Sequence, residues 1–302
     1  MVRSSRTLTS CAALFVMLTI AAAAGQVSLP NKAGTVKFAV IGDSGTGGSE
    51  QIKVAKQLTA ARGQFPFTFA VMLGDNLYGS ERPTDFANKF EVPYKALLDA
   101  GVKFHAALGN HDDPNQRFYK NFNMNGERYY SFKPPDGSVR FFALDSNYMD
   151  KNQLQWLEKE LAASDSEWKI AFFHHPLYSS GEKHGSDQVL RDQLEPLLLK
   201  YGVSLVLAGH EHFYERIKPQ KGITHFVAGS AAKLRRGNIG TSDITAKGFD
   251  QGYAFVLMEI DGKTLHFQTI SEQGKTIDEG TIQAVEKKTS ISEAPRPPEQ
   301  SR

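Results

Sequence analysis

The chain has 302 residues, 40% of them apolar and 23% charged, with 35 lysines and arginines against 33 aspartates and glutamates. That balance excludes a collagen and an intrinsically disordered chain. Arg3 and Arg6 precede an apolar run from Cys11 to Ala24, in which Ala22, Ala23 and Ala24 offer small-residue cleavage positions, so residues 1–24 read as a secretory signal peptide. As a helix the run would reach about 21 Å, short of the roughly 30 Å bilayer core, so a membrane span is the weaker reading.

Without that segment 33 basic and 33 acidic residues remain. A neutral chain with no block of like charge has no electrostatic footprint for nucleic acid or for an anionic membrane. Cys11 is the only cysteine and lies in the signal, so the mature chain has no disulfide to form. Residues 25–285 read as one catalytic domain. Residues 286–302, polar and closing with Pro295, Pro297 and Pro298, read as a disordered tail. Nothing in the sequence specifies an oligomeric state.

In chain order, short runs rich in Val, Phe, Ile and Leu predict strands at 36–41, 67–73, 103–108, 139–144, 168–173 and 203–208. Amphipathic stretches predict helices at 50–62, 84–100, 151–163 and 187–201. In the third of these, Leu154, Leu157 and Leu161 form a core-facing stripe. This βα alternation predicts an α/β protein. Beyond Gly209 the pattern turns to strands at 223–227, 253–260, 263–270 and 275–282, with Asp261-Gly262 as a hairpin signal.

Five strand candidates run straight into polar clusters: Gly42-Asp43-Ser44-Gly45, Gly74-Asp75-Asn76-Leu77-Tyr78, Gly109-Asn110-His111-Asp112, His174-His175-Pro176 and Gly209-His210-Glu211-His212. Ligands of α/β sheets bind beyond the carboxyl ends of the strands. One Gly-Asp pair is ordinary turn punctuation, but five clusters of Asp, Asn, His and Tyr at strand ends point to metal ligation. Carboxylate, amide, imidazole and phenolate suit iron, manganese or zinc. Asp43, Asp75, Tyr78, Asn110, His174, His210 and His212 are seven ligands, too many for one tetrahedral ion and suited to a pair about 3.5 to 4 Å apart, with Asp75 as the bridge.

The five clusters, in this order, resemble those of the metallophosphoesterases and specifically the purple acid phosphatases. In the wider superfamily the first motif supplies an Asp and a His; here Gly45 stands two after Asp43, and Tyr78, three after Asp75, takes the missing ligand's place. The stretch from Ala171 to His212 resembles the small, tartrate-resistant type. The resemblance implies a four-layer αββα sandwich of two mixed β-sheets flanked by helices. It implies ferric iron at Asp43, Asp75, Tyr78 and His212, and a divalent Fe, Zn or Mn at Asp75, Asn110, His174 and His210. It further implies an acid phosphatase that hydrolyses small phosphomonoesters by attack of a metal-bound hydroxide on phosphorus, which the signal peptide would make secreted or periplasmic. His111 and His184 match the family's two non-ligand catalytic histidines, and Asp112 is expected to orient His111. A phosphodiesterase or nucleotide hydrolase on the same metals is the alternative, and a silent binding protein on the same scaffold a more distant one.

The remaining histidines have plainer readings. His175 stands where the family commonly has an aromatic, and is a pocket-wall residue or an exposed one. His105 is expected to be a hydrogen-bonded core histidine, and His225 and His266 structural or exposed. Lys233, Arg235 and Arg236 read as a solvated loop, with anion attraction at the pocket mouth as the functional alternative.

Overall fold

The computed structural model describes residues 25–135 and 137–285; the signal and tail segments expected at 1–24 and 286–302 lie outside the described residues. The first apolar runs become β1 (Val36–Ile41), β2 (Phe69–Met72) and β3 (Lys103–Ala106), which pair in parallel with Phe38 opposite Phe69 and Val71 opposite His105. The runs of β1 and β2 are continuous rather than alternating because central parallel strands are covered on both faces, whereas β3, at the sheet edge, alternates exposed or half-buried residues with buried ones. The later runs give β11 (Ala254–Asp261), β12 (Thr264–Ser271) and β13 (Thr276–Gln283), antiparallel to one another, and β11 joins β1 antiparallel. The β11–β12 hairpin turns at Gly262, φ 57°, whose carbonyl accepts the Trp168 indole N–H at 2.8 Å.

The second sheet is built from β4 (Tyr130–Phe132), β5 (Val139–Ala143), β6 (Trp168–Phe173), β7 (Leu205–Ala208), β8 (Tyr214–Gln220), β9 (Ile223–Ala228) and β10 (Thr245–Phe249). Its order is β10-β8-β9-β7-β6-β5-β4, with β5, β6, β7 and β9 parallel and the other three antiparallel to their neighbours. The two sheets meet through aromatic side chains: Phe141 stands edge-on to Phe38 at 5.2 Å and to Phe69 at 5.4 Å, and Phe226 to Phe267 at 5.0 Å. Each such ring, fully buried, contributes about 2 to 3 kcal/mol from lost apolar surface.

Helices close both outer faces. Helix α1 (Ser49–Gln64) packs Val54, Leu58 and Ala61 onto the first sheet beside β11. On the other side α4 (Lys151–Ala162) and α5 (Gln188–Lys200) bury Leu157, Leu161, Leu190, Leu194 and Leu198 against Phe142, Phe173 and Val206. Both start at an aspartate cap, Asp150 accepting from Gln153 N–H at 2.8 Å and Asp187 from Leu190 N–H at 2.9 Å. The architecture is the αββα sandwich of two mixed sheets flanked by helices.

The structure differs from the sequence reading in particular places. The helix expected over 84–100 is broken into α2 (Pro83–Phe86), a π-turn over Ala87–Glu91 and α3 (Lys95–Asp99). Pro93 lacks the N–H that would meet the Lys89 carbonyl, which takes the Gln51 side chain at 2.6 Å instead. Leu154 is only half-buried, and Gln153 fills the buried position of that helix face, bonded to both N–H and C=O of Asp145. Strands β4, β8 and β10 are additions: β4 is three residues long, and β8 and β10 carry charged or exposed residues on the outer flank of their sheet. His105 is not hydrogen-bonded at Nδ1, and stacks on Phe132 at 3.7 Å. His225 is structural, fully buried with neither ring nitrogen partnered, edge-on to Tyr178 at 4.9 Å, while His266 is half-buried in β12.

Candidate metal centre

The strand ends β1, β2 and β3 of one sheet and β6 and β7 of the other point at one place. Asp43, Asp75 and His210 all adopt the left-handed backbone region, with φ of 55°, 50° and 69°. Non-glycine residues held there carry strain that concentrates at functional sites. Gly45 is fixed by close approach: a Cβ there would lie 1.7 Å from the Asn76 carbonyl oxygen. No side chain fits at this position, so no histidine can reach the site from it.

The seven expected ligands come together as two clusters. In one, the Tyr78 hydroxyl is 3.1 Å from Asp43 Oδ1 and 3.3 Å from His212 Nε2, and those two are 3.3 Å apart. In the other, Asn110 Oδ1 is 2.9 Å from His174 Nε2 and 3.0 Å from His210 Nδ1, with the two nitrogens 3.1 Å apart. Asp75 lies between them, its ligand atom within 4.8 Å of those of Asp43 and His174 and its Oδ1 3.4 Å from His174 Nε2. Donors about 2.1 Å from a shared ion stand roughly 3.0 to 3.4 Å from one another, so each cluster has the spacing of a coordination shell.

The electrostatics favour a cation. Asp43 and Asp75 are buried, and burial together with the Asp75 charge holds the Asp43 carboxyl well above the usual carboxylate range. Burial and the two aspartates push the Tyr78 phenol up as well. The imidazoles go the other way: burial, reinforced by neighbouring histidines or Arg235, pushes His210 down to about 2 and His212 to about 3, and holds His174 well below its usual range. Neutral imidazoles offer lone pairs, and the crowded acids gain from a positive charge. His174 Nδ1 meets the Leu73 carbonyl at 2.9 Å, which leaves Nε2 facing the cluster.

The two non-ligand histidines flank the clusters. The His111 ring lies 5.0 Å from that of Tyr78, and the His111 backbone N–H donates to Asp75 Oδ1 at 3.0 Å. The His184 ring lies 4.4 Å from that of His210. Asp112 does not orient His111. Its buried carboxylate accepts from the N–H groups of Gly109 (2.8 Å), Asn76 (3.1 Å) and Leu77 (3.0 Å), tying the second and third strand-end loops together, and burial and Asp75 push it up to about 7. His175 stands in the pocket wall, its Nδ1 2.9 Å from Ser146 Oγ and its ring 4.4 Å from that of His210. With His174 and His210 it forms a further group close enough to hold an ion. A cavity of about 440 Å³ opens beside Asn110, bounded by Ser146, Tyr148, His175 and Asp187.

Two contributors were not legible as such. Glu211, between the two histidines of the last cluster, is fully buried and accepts from the N–H groups of His184 and Gly185. An acid flanked by two histidines on a strand end was the only available signal. The Lys233–Arg235 segment is no free solvated loop: Arg235 meets Glu211 at 3.2 Å, and Lys233 lies over the Tyr78 ring at 4.3 Å.

Residues 36–214 match the family model for calcineurin-like phosphoesterases. The chain belongs to that family. Among the curated members it is 25% identical to rat tartrate-resistant acid phosphatase type 5, over 88% of this chain and 93% of the relative, and 30% identical to purple acid phosphatase 17 of Arabidopsis thaliana, over 71% and 73%. Among solved structures it resembles the Plasmodium protein GAP50, described as an anchor in the inner membrane complex (TM-score 0.74, 22% identity, 84% of this chain and 90% of that one). It also resembles the purple acid phosphatase PPD1 of yellow lupin (TM-score 0.67, 20% identity, 84% and 55%). These two structures share the fold of this chain.

Proposed function

We propose that this protein is a secreted acid phosphatase that hydrolyses small phosphomonoesters on a dinuclear centre, with ferric iron held by Asp43, Asp75, Tyr78 and His212 and a divalent Fe, Zn or Mn by Asp75, Asn110, His174 and His210. The observation that carries this reading is the division of the donors into two tight clusters with Asp75 between them. Such a pair of ions, when bound, supplies Lewis acidity toward phosphate oxygens and a nucleophile from water at reduced pKa. The phenol of Tyr78 favours the ferric state in the first cluster.

The chain's own groups do the rest. Asn110 is exposed while Asp43, Asp75 and His174 are buried, so the ester approaches from the Asn110 and His210 side. His111 and His184, on opposite flanks, are positioned to hydrogen-bond the phosphoryl oxygens and to give the departing alcohol its proton. The organic part of the substrate has room in the cavity walled by Tyr148 and His175.

Secretion is supported by the Arg3, Arg6 and apolar-run pattern at 1–24; among the described residues no helix is long and apolar enough to cross a membrane. The test is phosphate release by the purified, metal-replete protein from an activated aryl monoester and from its matched diester. Faster monoester turnover is expected. Turnover of the diester alone would make the protein a phosphodiesterase on the same site, and turnover of neither would overturn the enzymatic reading.

A further inference from the structure

The cationic segment after β9 is pinned at three points. Ala231 N–H donates to the Gly42 carbonyl at 3.2 Å, at the end of β1. Arg235 N–H donates to the His212 carbonyl at 2.9 Å, and its guanidinium meets the buried Glu211 at 3.2 Å. Lys233 sits between these anchors, half-buried, with its Nζ 4.3 Å from the centroid of the Tyr78 ring. Among the described residues no carboxylate pairs with this ammonium, so the ring face is its contact. A cation over a π face within about 6 Å is attracted by the ring, and more so when that ring carries a phenolate's charge.

We infer that Lys233 is a positioning residue that tunes the electron-donating power of Tyr78 through the ring face. The inference rests on the reading of Tyr78 as a ferric phenolate. A phenolate that donates to ferric iron absorbs visible light by moving an electron from the ring toward the metal, which leaves the ring more positive. An ammonium 4.3 Å away opposes that displacement, raising the energy of the band. It also draws electron density away from the oxygen, which makes the ferric state easier to reduce. Lys233 thus offsets part of the strong preference for ferric iron that a buried phenolate between two carboxylates would impose.

The experiment is the visible spectrum and reduction potential of the iron-loaded full-length mature protein beside its Lys233→Met, Lys233→Arg and Arg236→Gln variants. Methionine keeps the bulk and removes the charge. Arg236, on the same loop, faces the Gln251 carbonyl and serves as a charge control away from the ring. The expected result is a shift of the Lys233→Met band to longer wavelength on the order of 20 nm, with a lower potential. Lys233→Arg should keep the wild-type position, and Arg236→Gln should leave it unmoved. A band that stays at the wild-type position in Lys233→Met overturns the inference while leaving the ferric reading of Tyr78 intact. A metal-replete wild type with no visible band overturns both.

Discussion

Glu211 lies in sequence between His210 and His212, yet its carboxylate turns away from both and accepts the N–H of His184 at 3.1 Å. The same oxygen takes Gly185 N–H at 2.6 Å, and the other takes Arg235 at 3.2 Å and Asn238 at 3.4 Å. One buried acid therefore fixes the loop that carries a catalytic candidate to the strand end that carries two ligand candidates. Glu211→Ala should lower stability by about 3 kcal/mol, the scale of breaking a buried charged pair. If His184 protonates the leaving alcohol, the variant should also lose more kcat on an alkyl monoester than on an activated aryl one. Denaturant melts and parallel kinetics on the two esters check this; equal losses on both would remove His184 from leaving-group chemistry.

Gly45→Ala would place a methyl 1.7 Å from a backbone oxygen and 2.3 Å from the Asn76 carbonyl carbon. Backbone cannot rotate aside as a side chain can, so the expected cost is about 3 kcal/mol. The displaced Tyr78 loop should bind iron less well. Urea melts and metal content after dialysis are the measurements, and wild-type values for both would show that the loop yields.

Tyr78→Phe should abolish the visible band of the iron-loaded protein while leaving the fold intact, since the ring's packing survives the loss of its oxygen. Absorption spectra with circular dichroism as the folding control decide it. A band of undiminished intensity in the variant would place another residue on the iron.

Chelation should destabilise the protein because the donors repel one another without a cation. Ligand present at about a thousand times its dissociation constant stabilises by about 4 kcal/mol, which for a domain of this size is on the order of 10 °C in Tm. Calorimetry before and after chelator, with metal restored as the control, reads this directly; an unchanged Tm would mean that the clusters are not occupied in the native protein.

Acid should destabilise the fold through His225, whose pKa burial lowers to about 3. Its unfolded-state value is about 6.5, so as pH falls through 6.5 the unfolded chain takes up a proton that the folded chain refuses. The stability it contributes is complete above 6.5 and is lost progressively down to about 3. Between pH 7 and pH 5 the wild type should lose about 2 kcal/mol more than His225→Leu. Denaturant melts at the two pH values test the difference, and parallel losses in both proteins would mean that His225 is protonated in the fold.

Most of the site was legible because its residues follow strands that read clearly from their apolar runs, such as Val36–Ile41 and Trp168–Phe173, so the polar residues just beyond them fall at one end of the sheets. The sequence could not display what depends on distant pairing. Strand β8 is legible only through its partner β9, and Lys233 is a surface lysine until the Gly42 and His212 carbonyls anchor its loop. Asp112 misled because its carboxylate is taken up by the N–H groups of Asn76, Leu77 and Gly109, two of them from a loop more than thirty residues earlier. Pro93 was visible all along, and the helix it interrupts gives Lys89, whose ammonium holds the Tyr78 and Ser80 carbonyls at 2.7 and 2.8 Å.

The two sheets contribute unlike chemistry to the cluster. Asp43, Asp75, Tyr78 and Asn110 follow β1, β2 and β3 and bring only oxygen, whereas His174, His210 and His212 follow β6 and β7 and bring only nitrogen. A chain emerging from its amino end thus presents the oxygen donors some sixty residues before the first of the three ligand histidines, His174. Oxygen and nitrogen donors share one place only where the two sheets lie face to face, so neither sheet alone holds the mixed donor set.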